Sequence, residues 1–312
     1  MKNELPIKKY KLIKNADLTE VGALKALNDG NLAIGLIDFL AIYNMKTYKV
    51  DYKIKCIGFV TYIYQLKNNY IFFCSYKYGN EMRNNLIELS NKTYIDKKEQ
   101  LPKNTKYIIL KENQKGILYG YCSYDFFNQK IDVLKKNNNN IYEIITCIKL
   151  NCIDFDLLKN NKIAILFKDY FSIYKMKTLK LVKTINTIEP KKTMKKVADY
   201  DYLNHSLSFY NDKFLLVGSR KNIIIYDHKN LKIVKKIDFD SYLDIIYVNN
   251  NIAFFSFNHD ISDNMIDDDG NCIKINKYGT DYKYSIPSKT IQCITQVKDG
   301  RVITYAPLKI WS

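Results

Sequence analysis

The sequence predicts an all-β fold: a seven-bladed β-propeller of four-stranded antiparallel blades, with the ring closed by an N-terminal strand that completes the C-terminal blade. Three observations predict it. Apolar residues alternate with period two through segments rich in Ile, Tyr, Phe and Val, the pattern of strands rather than helices. A phrase of apolar segment, tight turn and second apolar segment recurs seven times along 312 residues. The residues opening its first turn, Asp29, Asn68, Gln114, Asn160, Asn211, Asn249 and Asp299, stand 38 to 51 residues apart, with a mean of 45. That is the period of a four-strand propeller unit.

The copies are clearest at the two ends of the chain. "LKALNDGNLAIGLIDFLAIYNMKT" (24–47) and "CITQVKDGRVITYAPLKIWS" (293–312) share an alternating segment, an Asp-Gly turn, a second strand and a third strand ending in an aromatic residue. Asp-Gly favours a two-residue hairpin turn because both central positions tolerate positive φ. Lettering the strands a to d from the axis outward, strand b is apolar or small on both faces, as in "NLAIGL" and "KIAILF". A middle strand covered by neighbours on both sides reads this way. Blade limits fall near 20–55, 56–102, 103–150, 151–200, 201–240, 241–288 and 289–312, all within one domain. The last copy supplies only strands a, b and c. Residues 7–19, "IKKYKLIKNADLT", precede the first copy as an extended alternating segment and are expected to be the missing outer strand.

The repeats resemble the WD40 family in pieces. Asp38 in "GLIDFLAIYN", Asp125 in "CSYDFF" and Asp169 in "LFKDYFSIYK" match the family's Asp before strand c, and "IIIYD" ending at Asp227 and "LKIWS" with Trp311 match its closing dipeptide. The Gly-His pair before strand a is missing; His205, His228 and His259 all stand elsewhere. The resemblance implies that the three aspartates are structural turn residues, accepting backbone amide hydrogen bonds. It also implies a scaffold that recruits partner proteins or peptides.

Composition narrows the function. The chain carries 49 Lys and Arg against 32 Asp and Glu, a net charge of +17, yet only Arg83, Arg220 and Arg301 are arginines. Reading of phosphate and base edges favours the arginine fork, so a lysine-coated solvated surface accounts for the charge and nucleic-acid binding is the alternative. Seven scattered cysteines without a C-x-x-C pair read as free, buried thiols in a reducing compartment, cytoplasmic or nuclear. The N-terminus lacks a signal-peptide core, and no apolar run reaches a membrane span. The sequence contains no G-x-S-x-G, no H-E-x-x-H and no phosphate-cradling glycine loop. The expectation is therefore a non-catalytic chain, without metal or cofactor, monomeric by itself or a subunit of a complex.

The long connections set the expected site. Residues 95–105, 186–204 and the acidic 258–271 belong to one face, where loop variation on a rigid scaffold places binding. The acidic stretch fails the calcium-loop pattern: with Gly270 sixth, Met265 and Asn276 fall at the first and twelfth positions. Expected contacts are the aromatic anchors Tyr200, Tyr202, Phe126 and Phe127 with Arg220, flanked by Lys191, Lys192, Lys195 and Lys196. Phe126 and Phe127 are equally suited to packing between blades.

Overall fold

A computed structural model describes residues 7–9, 12–16, 18, 20–77, 81–90, 93–97, 100–103, 105–122, 129–159, 161–187, 204–210, 213–219, 222–238, 242–248, 252–258, 270–276, 279–286, 293–305 and 308–312. These residues form strands and turns, with no α-helix among them. Two compact units divide the chain: residues 13–151 with 292–312, and residues 1–12 with 152–291.

In the first unit, β2 (Leu12–Ala16) is followed by a seven-stranded sheet of β3 (Ala23–Ala26), β4 (Leu32–Gly35), β5 (Ile37–Asn44), β6 (Lys49–Gln65), β7 (Tyr70–Lys77), β8 (Glu81–Ser90) and β9 (Thr93–Asp96). β6 is continuous over 17 residues, pairing with β5 through its first half and with β7 through its second. It is therefore strand d of one copy and strand a of the next. The change of partner falls at Gly58, whose φ is +79° and whose Cα faces the Tyr76 carbonyl so closely that a Cβ would collide with it. The next sheet is β10 (Tyr107–Glu112), β11 (Leu118–Cys122), β12 (Lys130–Lys136) and β13 (Tyr142–Lys149), antiparallel in chain order.

The second unit holds β1 (Ile7–Lys9) and three sheets. The first is β14 (Asp154–Leu158), β15 (Lys162–Leu166), β16 (Tyr170–Lys175) and β17 (Leu181–Asn186); the second is β18 (Asn204–Tyr210), β19 (Phe214–Ser219), β20 (Asn222–Asp227) and β21 (Ile233–Asp238). The third is β22 (Tyr242–Val248), β23 (Ile252–Asn258), β24 (Gly270–Asn276) and β25 (Gly279–Ile286), and β1 joins it parallel to β25. The chain then returns to the first unit with β26 (Cys293–Gln296), β27 (Val302–Tyr305) and β28 (Leu308–Trp311). Of the segment 7–19 expected as one outer strand, only β2 stands beside β28, giving this last sheet the order β2-β28-β27-β26, whereas Ile7–Lys9 pairs with β25 instead.

Where side-chain burial is described, the second strand of each sheet is sunk in the core. β4 and β11 are buried throughout, and so are Tyr70–Ser75 of β7, Ile163–Leu166 of β15 and Val302–Thr304 of β27. Strand b alternates its side chains between two faces, so burial of every residue means that both faces are covered. The core of the first unit joins its last sheet to its first: Leu32, Ile34 and Tyr43 pack with Ile303, Leu308 and Ile310. In the second unit Leu166, Phe171 and Ile173 pack with Leu215, Val217 and Tyr226.

The turns differ from expectation in length. Leu27 N–H donates to the Asn31 carbonyl and Gly30 N–H to the Leu27 carbonyl, closing a three-residue loop. The same two bonds close Val297–Arg301 and Asn113–Ile117. Only the last loop residue has positive φ, at Gly30 (+90°), Gly116 (+76°) and Gly300 (+94°). A type I turn followed by one left-handed residue needs a single glycine, whereas the expected two-residue turn needs two permissive positions. Asp29 serves differently: its Oδ1 accepts Asn31 N–H at 2.9 Å. In the third copy Asn113, not Gln114, takes that role toward Lys115 and Ile117.

Candidate functional site

The residues expected to contact a partner, Tyr200, Tyr202, Phe126, Phe127, Arg220, Lys191, Lys192, Lys195 and Lys196, lie outside the described residues, as do Asp125 and residues 259–269 of the acidic stretch. The other two turn aspartates are described. Asp38 has φ +58°, and its Oδ1 accepts Gly58 N–H at 2.6 Å. It holds the point where β6 changes partner, 20 residues away, rather than an amide of its own turn. Asp169 acts through its main chain, its carbonyl accepting Thr187 N–H at 2.9 Å and Thr187 Oγ1 at 2.8 Å. Of the long connections, 95–105 is partly described, with Leu101 buried and the Thr105 carbonyl accepting Asn84 Nδ2 at 3.3 Å.

Among the described residues, four ionisable side chains meet in the sheet of β10–β13. Asp132, on β12, is fully buried. Lys130 Nζ reaches its Oδ1 at 2.9 Å, the Tyr107 hydroxyl donates to its Oδ2 at 3.2 Å, and the Cys122 thiol lies 3.8 Å from the same oxygen. Tyr107 comes from β10 and Cys122 from β11, so three adjacent strands converge on one carboxylate. Gly120 makes room, because a Cβ there would run into the Tyr107 ring.

The electrostatics make this a structural network. Burial, and then the Asp132 charge, push the Cys122 thiol up to about 12, so at neutral pH it is a protonated donor and not a nucleophilic thiolate. The same two causes raise the Tyr107 phenol. Burial works against the Lys130 charge, but the bond and charge of Asp132 outweigh it and raise the ammonium pKa. A buried carboxylate is tolerated when ion pairing and hydrogen bonds compensate its desolvation, and Asp132 has both. Sequence reasoning missed this network. Its readable signal was a lone Asp between Ile131 and Val133, an acidic residue set in an apolar strand.

One cluster holds the last sheet to the first, and another braces the last sheet itself. Arg301 donates through Nε and Nη2 to Asp299 at 2.9 and 2.6 Å, and through Nη1 to the Met45 carbonyl at 3.0 Å and the Tyr48 hydroxyl at 2.7 Å. Its guanidinium also sits 5.6 Å from the Tyr48 ring centroid. The planar fork is therefore used inside the fold. Trp311 Nε1 donates to Thr304 Oγ1 at 2.8 Å, both residues being buried. Asp227 caps the turn after β20, its Oδ1 accepting Lys229 and Asn230 amides at 2.9 and 3.1 Å.

No family model matches the sequence, and no curated protein matches it. Solved structures do. A chain of the crystal structure of the mitotic checkpoint complex aligns over 99% of this chain and 93% of its own, at 10% identity and a TM-score of 0.68. The WD40 β-propeller domain of Doa1 aligns over 97% and 96%, at 13% identity and a TM-score of 0.64. The β-propeller domain of Myceliophteria thermophila Cps50 (Swd1) aligns over 97% and 99%, at 9% identity and a TM-score of 0.69. The fold is a WD40-like β-propeller. The four-stranded sheets are its blades, and the Trp311–Thr304 bond ties strand c to strand b within one blade.

Among the described residues, no group of three or more His, Cys, Asp or Glu could hold a metal ion. No helix among them is long and apolar enough to cross a membrane. Four of the five described free cysteines, Cys56, Cys74, Cys122 and Cys152, are buried, while Cys147 is exposed on β13.

Proposed function

We propose that this WD40-like propeller is a non-catalytic scaffold that binds partner proteins or peptides on the face carrying its long loops. Likeness to propellers over 97 to 99% of the chain carries this reading; one of them was crystallised within a multiprotein assembly. The chemistry of the described residues supports it. The ionisable side chains that meet around buried Asp132 include a protonated thiol, an arrangement suited to holding strands together. In this reading the blades form one seven-bladed domain, β2 closes the ring, and the chain works in the cytoplasm or nucleus. Tyr200, Tyr202 and Arg220 anchor the partner, and Lys191, Lys192, Lys195 and Lys196 supply charge complementarity.

Affinity purification of the tagged full-length chain from its native cell, with mass spectrometry of the eluate, tests the proposal. A stoichiometric protein partner is expected, and replacing Tyr200 and Tyr202 with Ala should release it. Recovery of the chain alone overturns the reading. Recovery of RNA whose binding falls linearly on a log–log plot against salt would replace it with the lysine-driven alternative.

A further inference from the structure

Two successive blades carry nearly the same rim. The last turn and outer strand of one read "MKTLKLVKTI" (176–185), and those of the next read "HKNLKIVKKI" (228–237). The two segments are identical at six of ten positions and contain no acidic residue. The likeness extends to the backbone. Leu179 and Leu231 close their turns with φ of +52° and +59°, and β17 and β21 each bulge once, at the same place in the register. Ile185 of β17 and Leu231 beside β21 pack against the core that joins the two sheets. Packing therefore reaches the rim, and β17 and β21 stand as adjacent ridges of one unit.

These ridges expose aliphatic side chains between lysines. Leu181 is 50% exposed, Val182 43%, Ile233 59% and Val234 39%. Lys177, Lys180, Lys183, Lys229 and Lys232 are exposed among them. The other outer strands with described side chains lack the combination. The outer half of β6 carries Lys49, Lys53 and Lys55, but also Asp51 and no exposed aliphatic residue. β13 exposes Ile144 and Ile145 beside Glu143, and β9 exposes Tyr94 and Ile95 beside Asp96.

The register says how an occupant would approach. Leu181 stands opposite Tyr174 and Lys183 opposite Ile173, so the two side chains leave opposite faces of β17; Ile233 and Lys235 repeat this on β21. A groove on one face would use half of the pattern, whereas a surface met edge-on uses all of it. A peptide that adds as a strand pairs with one edge and has no use for a second ridge. Nucleic-acid recognition draws on arginine and on aromatic stacking, and the two segments hold no Arg, Phe, Tyr or Trp. A bilayer is broad enough to touch both ridges. It takes aliphatic side chains at the boundary of headgroups and acyl chains, and its anionic headgroups attract lysine. We propose that β17 and β21, with the turns that precede them, form a docking surface for an anionic lipid bilayer. Leu181, Val182, Ile233 and Val234 enter the interface, and the five lysines hold the headgroups. The net charge of +17 steers the chain toward such a surface.

Co-sedimentation of the full chain with phosphatidylcholine vesicles, with and without about 30% phosphatidylserine at physiological salt, is the test. Binding to the anionic vesicles and not to the neutral ones is expected. K180Q/K232Q should weaken it about 25-fold, each lysine near an anionic surface counting about fivefold. L181S/I233S keeps the charge and should weaken binding by about tenfold or more, because the apolar insertion is lost. K53Q/K55Q removes the same charge from β6 and should change binding by less than about twofold, since screening confines each charge to its surroundings. Circular dichroism checks that all three variants fold. Equal binding to both kinds of vesicle, or binding to neither, overturns the proposal. So does L181S/I233S bound as tightly as wild type, or K53Q/K55Q weakened as much as K180Q/K232Q, since net charge alone would then explain the attraction. Poly(U) RNA that binds through the same lysines and displaces the anionic vesicles would assign the surface to nucleic acid instead.

Discussion

Replacing Gly58 with Ala gives the sharpest stability test. Gly58 lies where β6 changes partner, with φ +79°, its N–H donating to Asp38 at 2.6 Å. A left-handed conformation alone costs an L-residue about 1–2 kcal/mol. The added Cβ would also strike the Tyr76 carbonyl, and a backbone neighbour yields only if the β6–β7 ladder shifts. Overpacking of that kind adds about 1–3 kcal/mol, for a total of roughly 2–5 kcal/mol. Gly30 is the matched control: its φ is +90°, but a Cβ there meets nothing within 4 Å. Gly30→Ala should therefore show the conformational cost alone, about 1 kcal/mol. Urea unfolding followed by fluorescence of Trp311, the only tryptophan, reads the unit that contains both sites. Free energies for the two variants that agree within about 1 kcal/mol would show that the collision is relieved at no cost, and would refute the reasoning.

Four more outcomes follow from the geometry. Asp132→Ala strips Lys130, Tyr107 and Cys122 of their shared acceptor and should destabilise by about 3 kcal/mol or more, measured by the same unfolding assay; a loss below about 1 kcal/mol would show the network to be dispensable. Burial raises the thiols of Cys56 and Cys122 to about 12 and that of Cys74 to about 11, so iodoacetamide should label Cys147 in the native protein and those three only after denaturation. The Arg301 bond lowers the Asp299 pKa, so its carboxylate stabilises the fold above the unfolded value near 4 and this contribution fades as pH falls through the lower folded value. Asp299→Asn should then be less stable than wild type at neutral pH, with the gap closing in acid; a gap that widens in acid would contradict the assignment. Deleting residues 1–19 removes β1 and β2 and bares the edges of β25 and β28, so the truncated chain should aggregate or melt earlier, whereas an unchanged melting midpoint would show those strands to be dispensable.

The propeller was legible because its signals are local and repeated. Alternating apolar residues give strands wherever they occur, and Asp29 and Asp299, each followed by glycine, mark turns without reference to tertiary contacts. Turn length was less legible, because Asp-Gly fits both a two-residue turn and a three-residue loop, and strand pairing decides between them. The Asp132 network was hidden for another reason. Its members stand at positions 107, 122, 130 and 132, and only folding of β10, β11 and β12 makes them neighbours. Asp38 accepts a backbone amide as its position suggested, but the donor, Gly58, stands 20 residues away and is a neighbour only in the fold. The expected contact residues stand between the repeated segments, where the sequence carries little periodic signal, and they lie outside the described residues.

The continuity of β6 bears on how an array of repeats grows. A unit bounded by loops can be copied or lost by recombination, leaving its neighbours' ladders intact. The first two blades have no such boundary, since each owns half of one strand. An insertion or excision between them would cut a ladder on both sides at once. Residues 23–96 are therefore best regarded as one heritable module of double length, and an exon or crossover boundary is expected to avoid Gly58 and fall instead in the connections on either side.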